Sequence, residues 1–207
     1  MKITKLMGGA IGTNCYILTD DKTMETAVVD PGFADEELIS ALEEIGLEHV
    51  TKILLTHGHF DHIMGVPKMK ELTGAKVYIH ADDVLFTSDP SLNLAGMISA
   101  ITKPFSADVT VNDGDTIPLG RLTIRVLHTP GHTIGSCCFI VENAIFTGDT
   151  LMKLSCGRTD FPTGSYPQMM ASLQRLCNLE GDYNIYPGHE GSTTLNYERK
   201  NNPFVGN

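Results

Sequence analysis

The sequence lacks an apolar run long enough to cross a membrane. A transmembrane helix needs roughly 20 consecutive apolar residues, and no stretch of the 207-residue chain approaches that length. The N-terminal segment Met1–Met7 also lacks the apolar core of a secretory signal peptide. We therefore expect a cytoplasmic protein that does not interact with membranes.

Positive charge is also scarce. The chain has 15 lysines and arginines against 25 aspartates and glutamates, a formal net charge of −10. Such a surface repels phosphate backbones, and no basic cluster offsets it, so nucleic acid is not an expected partner. An anionic substrate would need local positive charge, either from bound metal ions or from a few placed cationic side chains.

Cysteine is infrequent, and its spacing matches no disulfide framework or metal motif. The five cysteines are an odd number, and no C-x-x-C pair occurs. Cys137 and Cys138 are adjacent in an apolar, strand-like run, which predicts buried, reduced thiols in a reducing compartment. Cys156 is the exception, because it lies in a glycine-containing loop soon after a candidate metal ligand.

The order of apolar patterns predicts an α/β fold in one domain, 1–207, with enough apolar residues for a sizeable core. Strand patterns lie at 15–18, 27–29, 53–55, 76–79, 122–126, 137–141, 144–146 and 185–186. Helical spacing predicts helices capped by Asp35 and ended by Gly46, at 66–72, at 169–177, and after Ser192. Residues 82–105 mix helical and loop signals, so their role cannot be read. Because hairpins outnumber crossovers, we expect two mainly antiparallel sheets packed together with helices outside.

The densest chemical signal follows the apolar run Ile53-Leu54-Leu55. Four metal-competent side chains occur within six residues there, and they are His57, His59, Asp61 and His62. A regular strand or helix would scatter these side chains, whereas a tight turn at the end of the strand, eased by Gly58, would converge them. The motif therefore predicts part of a metal site.

Three similar units follow later in the chain. Each unit places one ligand-type residue on a glycine-containing loop just after an apolar strand, and these residues are His132, Asp149 and His189. Loops at one edge of a rigid scaffold are where sites are assembled. The three other histidines have no such context, and His49, His80 and His128 are interpreted as ordinary surface or core residues.

This set of residues resembles the metallo-β-lactamase superfamily over nearly the whole chain, from about Asn14 to Phe204. The resemblance implies a four-layer αββα sandwich with metals at one edge of the two sheets. It implies that His57, His59 and His132 hold a first metal and that Asp61, His62 and His189 hold a second. Asp149 would bridge the two metals.

The ligand types agree with this assignment. Imidazoles and carboxylates suit two divalent ions, with zinc as the first choice and iron or manganese as alternatives. Two neighbouring cations can share a water and lower its pKa toward neutrality, so that a metal-bridging hydroxide attacks the substrate. Asp149 would be catalytic through this bridging role, and Asp61 could also steady the water or accept its proton.

Differences from other members of the superfamily indicate which reaction to expect. The bridging position holds Asp149, where many true β-lactamases place a cysteine, so lactamase activity is disfavoured. The segments Gly148–Leu151 and Cys156–Pro162, with the ending Asn202-Pro203-Phe204, resemble glyoxalase II-like proteins of a compact bacterial branch that lacks the C-terminal helical domain. Arg158 falls near the position where that group uses a cation for the carboxylate of the thiol carrier. A loop salt bridge is the alternative role for Arg158.

The resemblance leaves three reactions open. The first is hydrolysis of a small-molecule thioester of the hydroxyacyl-glutathione type, and it makes that thioester the expected partner. The second is persulfide dioxygenation with one iron held by His57, His132 and Asp149. The third is hydrolysis of a lactone or another ester with the same ligands. The acyl group, the thiol carrier, the metals in the cell and the oligomeric state cannot be read from the sequence.

Overall fold

The chain forms two six-stranded sheets and a two-stranded hairpin within residues 1–98 and 103–205, which this computed structural model describes. The strands in chain order are β1 (Lys2–Gly8), β2 (Thr13–Thr19), β3 (Thr26–Val29), β4 (Val50–Leu54), β5 (Lys76–His80), β6 (Val109–Val111), β7 (Thr116–Leu119), β8 (Leu122–His128), β9 (Cys137–Val141), β10 (Ala144–Gly148), β11 (Leu151–Met152), β12 (Ser155–Cys156), β13 (Asn184–Pro187) and β14 (Thr193–Thr194). The first sheet is ordered β1-β2-β3-β4-β5-β6, and the second is ordered β14-β13-β10-β9-β8-β7. Strands β11 and β12 form the separate hairpin.

Helices and short 3₁₀ turns connect the strands. The helices are α1 (Glu36–Ile45), α2 (Phe60–Ile63), α3 (Val66–Thr73), α4 (Tyr166–Cys177) and α5 (Leu195–Asn201), and the 3₁₀ turns are Leu47–His49, Ala81–Thr87 and Ala95–Ile98. The predicted cap of α1 is confirmed, because the Asp35 side chain accepts a hydrogen bond from Leu38 N at 3.0 Å. The predicted cap of α5 is wrong. Thr194 is the cap, and its hydroxyl accepts from Tyr197 N at 3.2 Å, two residues beyond Ser192.

Strand direction differs between the two sheets. In the second sheet only β10 and β13 pair in parallel, and the other pairs are antiparallel. In the first sheet β1 to β3 are antiparallel, whereas β3 to β6 are parallel. The first sheet is thus less antiparallel than the hairpin pattern predicts, because α1 lies between β3 and β4 and α2 and α3 lie between β4 and β5. Parallel neighbours need such crossovers.

Three apolar clusters establish the layers of the molecule. The largest cluster lies between the sheets and includes Tyr16, Phe139 and Phe146. A second cluster packs residues of α1 and α3, such as Leu42 and Met69, on the outer face of the first sheet. A third places α4 on the outer face of the second sheet. The predicted α/β sandwich with outer helices is therefore confirmed.

The cysteines are free thiols, as the sequence predicts. Cys15, Cys137 and Cys138 are buried, and burial raises the pKa of each thiol. Cys156 is half-buried, and burial also raises its pKa, so it is not an activated thiolate. In the described ranges, no helix combines the length and the apolar character that crossing a membrane requires. Residues 99–102 of the segment that the sequence leaves unreadable lie outside the described residues.

Candidate metal centre

The predicted ligands meet at one edge of the sandwich because of chain direction. Strands β8 and β10 are both antiparallel to β9, and β13 is parallel to β10, so all three run the same way. Their carboxyl ends share one edge, where the following loops carry His132, Asp149 and His189. The segment after β4 in the facing sheet carries the other four predicted ligands.

That segment is a turn followed by a short helix rather than a turn alone. His57 and His59 lie in the turn, and Asp61 and His62 lie on α2. All four residues are at most 7% exposed. The helix turns Asp61 and His62 toward a different part of the site from the first two histidines, so the motif serves two groups of ligands.

The first predicted group is brought together by the structure. His57, His59 and His132 offer ring nitrogens that all lie within 4.8 Å of one another. His59 Nδ1 lies 2.9 Å from His132 Nε2, so these two nitrogens face the same point. His132 donates from Nδ1 to the carbonyl oxygen of Arg158 at 2.7 Å. Because a carbonyl oxygen only accepts, this bond leaves the Nε2 lone pair of His132 free for a metal.

The second predicted group is also assembled. The ligand atoms of Asp61, His62 and His189 lie within 4.8 Å of one another. Asp61 Oδ2 lies 3.2 Å from the Nε2 atoms of both His62 and His189. His189 is the most exposed of the three, with 20% of its side chain accessible. This group is therefore the half of the centre that opens toward solvent.

Asp149 lies between the two groups. Its Oδ2 is 3.4 Å from His132 Nε2 in the first group and 3.6 Å from His189 Nε2 in the second. Its Oδ1 is 3.5 Å from His62 Nε2. This placement is what a bridging carboxylate requires. That the seven residues bind metal remains a prediction.

Unpaired buried atoms show that the centre is suited to cations. The Nε2 atoms of His57 and His62 and Oδ1 of Asp149 are buried without a hydrogen-bond partner in the described part of the chain. Each such atom costs about 1–3 kcal/mol of folding free energy if it stays unpaired. Imidazole nitrogens and carboxylate oxygens are ligands for zinc, iron and manganese, so divalent cations fit the residues present.

Burial also keeps the first group in the metal-binding protonation state. It lowers the pKa of His57 well below its ordinary value, and the imidazoles of His62 and His132 lower that pKa further. Burial lowers the pKa of His59 to about 2. Both rings are therefore neutral near pH 7, the form that coordinates metal ions.

The second group carries opposite charges. Burial alone would raise the pKa of Asp61, but the charge of His62 and the hydrogen bond from His189 hold it well below its usual range. Burial alone would lower the pKa of His62, yet Asp61, Asp149 and Asp30 raise it well above its usual range. A cation that binds here therefore displaces a proton from His62 and takes over its pairing with the carboxylates.

Two supporting residues are missing from the sequence-based site. Asp30 accepts from Thr56 N at 2.8 Å, from Thr56 Oγ1 at 2.6 Å and from His62 Nδ1 at 3.1 Å. Thr13 donates from its hydroxyl to Asp61 Oδ2 at 2.8 Å. Asp30 follows a buried strand and precedes Pro31-Gly32, the same strand-end pattern that identifies the ligands. That signal was sufficient to find Asp30.

Asp83 is a third supporting residue, and it joins the two ligand loops. Its carboxylate accepts from Gly58 N at 3.0 Å, from Gly135 N at 2.7 Å and from Thr133 Oγ1 at 2.7 Å. Asp83 is fully buried. Burial raises its pKa to about 6 against the lowering effect of these bonds, so it is ionised at pH 7. The carboxylate thus sets the distance between the turn of His57 and the loop of His132.

Replacing Asp83 by alanine is expected to lower the free energy of unfolding by about 3 kcal/mol, because buried donors lose their acceptor. Metal affinity of the first group should fall about 10- to 100-fold, as it does for other residues that support ligands. Thermal unfolding and metal titration measure the two effects. Asp82→Ala is the matched control, since its carboxylate is 51% exposed; equal losses in both variants would contradict the assignment.

Close packing in the centre excludes side chains at two glycines. A Cβ on Gly188 would lie 2.3 Å from Asp149 Oδ1 and 2.7 Å from His62 Cε1. A Cβ on Gly58 would lie 2.2 Å from Phe86 Cβ. Any larger residue at Gly188 would displace the Asp149 carboxylate, so this glycine is part of the geometry of the candidate site.

Arg158 lies at the rim of the centre but is already paired. Its guanidinium forms a bidentate bond with Asp160, at 2.6 and 2.7 Å, and lies 4.1 Å above the ring of Phe161. Both charged side chains are more than half exposed. The salt-bridge alternative is therefore what the structure contains, and binding of a substrate carboxylate would require exchange with Asp160.

His80 and His128 form a cluster apart from the centre. Their rings stack at 4.0 Å with an interplanar angle of 10°, and Asp82 Oδ2 lies 3.6 Å from His80 Nδ1. Ring lone pairs lie in the ring plane, so two nearly parallel rings share no point at which both could bind one cation. His128 also bonds through Nε2 to the carbonyl oxygen of Ile134 at 2.9 Å. The structural interpretation of both histidines is retained.

A cavity of about 380 Å³ opens above the two groups. It is lined by predicted ligands, by apolar residues and by one cation, namely Ile11, His59, Phe60, Asp61, Leu94, His132, Asp149, Met152, Gly157, Arg158, Phe161 and His189. This volume is in the range of small-molecule sites. A larger groove of about 550 Å³ between α4 and the C-terminal segment is lined by none of the predicted ligands. The smaller cavity is therefore the candidate active site.

Comparison with known proteins places these features in context. The family model described as the metallo-beta-lactamase superfamily matches residues 8–189. The hydroxyacylglutathione hydrolase GloC of Haemophilus influenzae is 35% identical over 202 residues, covering 95% of this chain and 94% of that protein.

Two solved structures resemble the fold closely. The crystal structure of BLEG-1 B3 metallo-beta-lactamase has a TM-score of 0.93 at 33% identity and covers 100% of both chains. The di-iron-bound form of TTHA1623 has a TM-score of 0.86 at 30% identity, with 98% of this chain and 100% of that chain covered. These relatives share the four-layer architecture, and the second structure holds two metal ions.

Proposed function

The chain belongs to the metallo-beta-lactamase superfamily, and from that premise we propose that it hydrolyses small-molecule thioesters with a pair of divalent metal ions. Thioesters of the hydroxyacyl-glutathione type are the reference substrates. The convergence of the predicted ligands in two groups with Asp149 between them carries this proposal. The relative named as a hydroxyacylglutathione hydrolase supports the substrate class, because it aligns over 94% of its own length.

The metal ions are assigned to the two groups of residues. His57, His59 and His132 would hold the first ion, and Asp61, His62 and His189 would hold the second, with Asp149 shared. When bound, such a pair supplies Lewis acidity and lowers the pKa of a water toward neutrality. Zinc is our first choice, and the di-iron form of a structural neighbour makes iron the leading alternative.

The side chains have separate tasks in the reaction. Asp149 keeps the two groups in register because its two oxygens face both of them. Asp61 stays ionised, and the Thr13 hydroxyl at 2.8 Å fixes the orientation of its carboxylate. Asp61 lines the cavity, so it can accept a hydrogen bond from the attacking water and orient it.

Hydrolysis of a thioester also explains why the cavity needs no strong acid. A water loses a proton to Asp61 or to solvent as its oxygen adds to the acyl carbon. The carbon–sulfur bond then breaks, and the sulfur leaves with the electron pair as a thiolate. Thiols have a pKa near 8.5, so a thiolate leaves without prior protonation. In the described lining, apart from the predicted ligands, Arg158 is the only titratable side chain, and it cannot act as an acid near pH 7.

The direct test is thiol release from a panel of thioesters. Protein loaded with zinc or iron, with its metal content measured, is expected to release thiol from lactoyl-glutathione with a kcat/KM on the order of 10⁴ M⁻¹s⁻¹ or above. A lactone, a β-lactam and glutathione persulfide with oxygen monitoring serve as comparison substrates. Full metal occupancy without thiol release from any thioester would refute the proposal, and turnover of a comparison substrate would identify the alternative.

Arg158 is proposed to contact the carboxylate of the thiol carrier. Arg158→Ala is expected to raise KM several-fold for glutathione thioesters and to leave kcat unchanged, because the contact is remote from the reacting carbonyl. Asp160→Asn is the matched variant: it frees the guanidinium, so KM should fall. Steady-state kinetics on a carboxylate-bearing and a neutral thioester measure both effects. If neither KM changes, Arg158 belongs only to the loop.

A further inference from the structure

Apolar side chains form one side of the cavity. Phe60, Leu94 and Phe161 belong to a small apolar cluster separate from the three cores, and all three line the cavity. The Phe161 ring also contacts His59 edge-on, with centroids 5.8 Å apart. We call these three side chains the apolar wall. The wall therefore begins directly beside the first group of predicted ligands.

The rest of the described lining offers few polar groups to an acyl chain. The histidines and aspartates face the metal centre. The amide of Gly157 donates to the carbonyl oxygen of Asp149 at 2.9 Å, and the guanidinium of Arg158 is paired with Asp160. Beyond its reacting carbonyl, an acyl chain in this cavity consequently meets hydrocarbon rather than hydrogen-bonding groups.

Leu94 is held in a backbone conformation that leucine rarely adopts. Its φ is +67°, in the left-handed region, which is unfavourable for residues with a Cβ. The buried side chain of Asn93 maintains this conformation, because it donates to Phe86 O at 2.8 Å and accepts from Ala95 N at 3.0 Å. The carbonyl oxygen of Asn93 accepts from Phe60 N at 2.8 Å, which ties the segment to the ligand motif. Strain that neighbouring bonds maintain at a cavity points to a functional role.

We propose that the apolar wall binds a hydrocarbon tail on the acyl group and that Leu94 is the residue that determines acyl specificity. The inference rests on the proposed function, since it names the acyl class of the same thioesters. Butanoyl and hexanoyl groups carry enough hydrocarbon to cover the wall, whereas acetyl and lactoyl groups do not. The wall contacts the tail equally in the ground state and the transition state, so it lowers KM and leaves kcat nearly constant.

The first experiment compares acetyl, lactoyl, butanoyl and hexanoyl thioesters of glutathione with the zinc-loaded protein. The kcat/KM is expected to rise by about fourfold per buried methylene, through KM. In Leu94→Asn this dependence on chain length should weaken, because Phe60 and Phe161 remain while the contact with leucine is lost. Asparagine tolerates the left-handed region better than leucine, so the variant keeps its backbone, and a thermal unfolding scan verifies that it is folded.

Leu154→Asn is the matched control. Leu154 also has a positive φ, of +58°, and it is 41% exposed. It is not among the residues that line the cavity. The same substitution in the same backbone conformation is therefore expected to keep the full dependence on chain length. If both variants lose that dependence equally, Leu94 does not determine acyl specificity.

A binding measurement makes the inference independent of turnover and of the variants. Calorimetric titration of the zinc-loaded wild-type protein with acetate, butanoate and hexanoate should show affinity rising with chain length. Rising affinity without any thioester hydrolysis would refute the proposed function and leave the wall as a hydrocarbon site. The opposite result is thioester hydrolysis in which neither kcat/KM nor the affinity for the acids depends on chain length. It would show that the apolar wall does not bind the acyl tail, and it would not contradict the proposed function.

Discussion

Replacing Asp149 by alanine is expected to lower kcat/KM for thioesters on the order of 10³-fold or more, because a positioned metal is worth several kcal/mol of transition-state stabilisation. The carboxylate faces both predicted groups, with oxygens 3.4 Å from His132 Nε2 and 3.5 Å from His62 Nε2. Its loss removes a ligand from each group and leaves the neighbouring imidazoles without the negative charge that offsets two cations. Metal content should therefore fall below two ions per chain.

Asp149→Asn separates the charge from the shape of the side chain. The amide keeps one oxygen that can act as a ligand, so it should retain one ion per chain while turnover remains strongly reduced. Metal analysis and thiol-release kinetics on the same preparations measure both quantities. Two bound ions with normal turnover in Asp149→Ala would show that the bridging assignment is wrong. Glu71→Ala is the control, because Glu71 is 69% exposed and lies outside both the two groups and the cavity lining.

The position of the site could be predicted because one physical rule places it. The ends of strands that run the same way lie at one edge of a sheet, and glycine-containing loops after those strands carry His132, Asp149 and His189. A polar residue immediately after a buried strand is therefore informative even when its partner is far along the chain. The same rule identifies Asp30, although this residue is absent from the predicted ligands.

The apolar lining of the cavity and the supporting residue Asp83 could not be predicted, because the sequence around them has no periodic pattern. Leu94 lies in a left-handed conformation immediately before the 3₁₀ turn Ala95–Ile98, so neither helical nor strand spacing marks it. The role of Asp83 depends on contacts with Gly58 and Gly135, on two distant loops. Such contacts arise only when both sheets are packed, and local sequence contains no trace of them.

Two local differences from the sequence-based prediction have simpler causes: the strand patterns omit β1, and the cap of α5 is placed at Ser192 instead of Thr194. β1 (Lys2–Gly8) is an edge strand with alternating half-exposed residues, so it lacks the continuous apolar run that marks the buried strands. Ser192 and Thr194 are both hydroxyl residues able to cap a helix. The burial of Leu195 against α4 sets the helix phase, and this tertiary contact selects Thr194 as the cap.

The second large effect is expected from Asp30→Asn, through the tautomer of His62. A cation that binds displaces the Nε2 proton of His62, and Asp30 Oδ2, 3.1 Å from Nδ1, then keeps the remaining proton on Nδ1, so that the Nε2 lone pair is free for the metal. Thr56 N is a fixed donor to Oδ1 at 2.8 Å, so the amide oxygen of asparagine must take the Oδ1 position. The amide nitrogen then faces His62 Nδ1 as a donor. The proton of His62 must move to Nε2, where it blocks coordination.

The expected result is a loss of metal affinity with little loss of fold. Affinity at the second group should fall about 10- to 100-fold, and kcat should fall with occupancy. Asparagine accepts the φ of +50° at this position and keeps the bond from Thr56 N. Asp30→Ala differs, because Thr56 N and His62 Nδ1 then lose their acceptor, and it should also lower the free energy of unfolding by about 3–5 kcal/mol. Nitrogen-15 spectra of His62 report the tautomer directly; a proton that stays on Nδ1 in Asp30→Asn, with unchanged metal affinity, would show that Asp30 contributes to the fold alone.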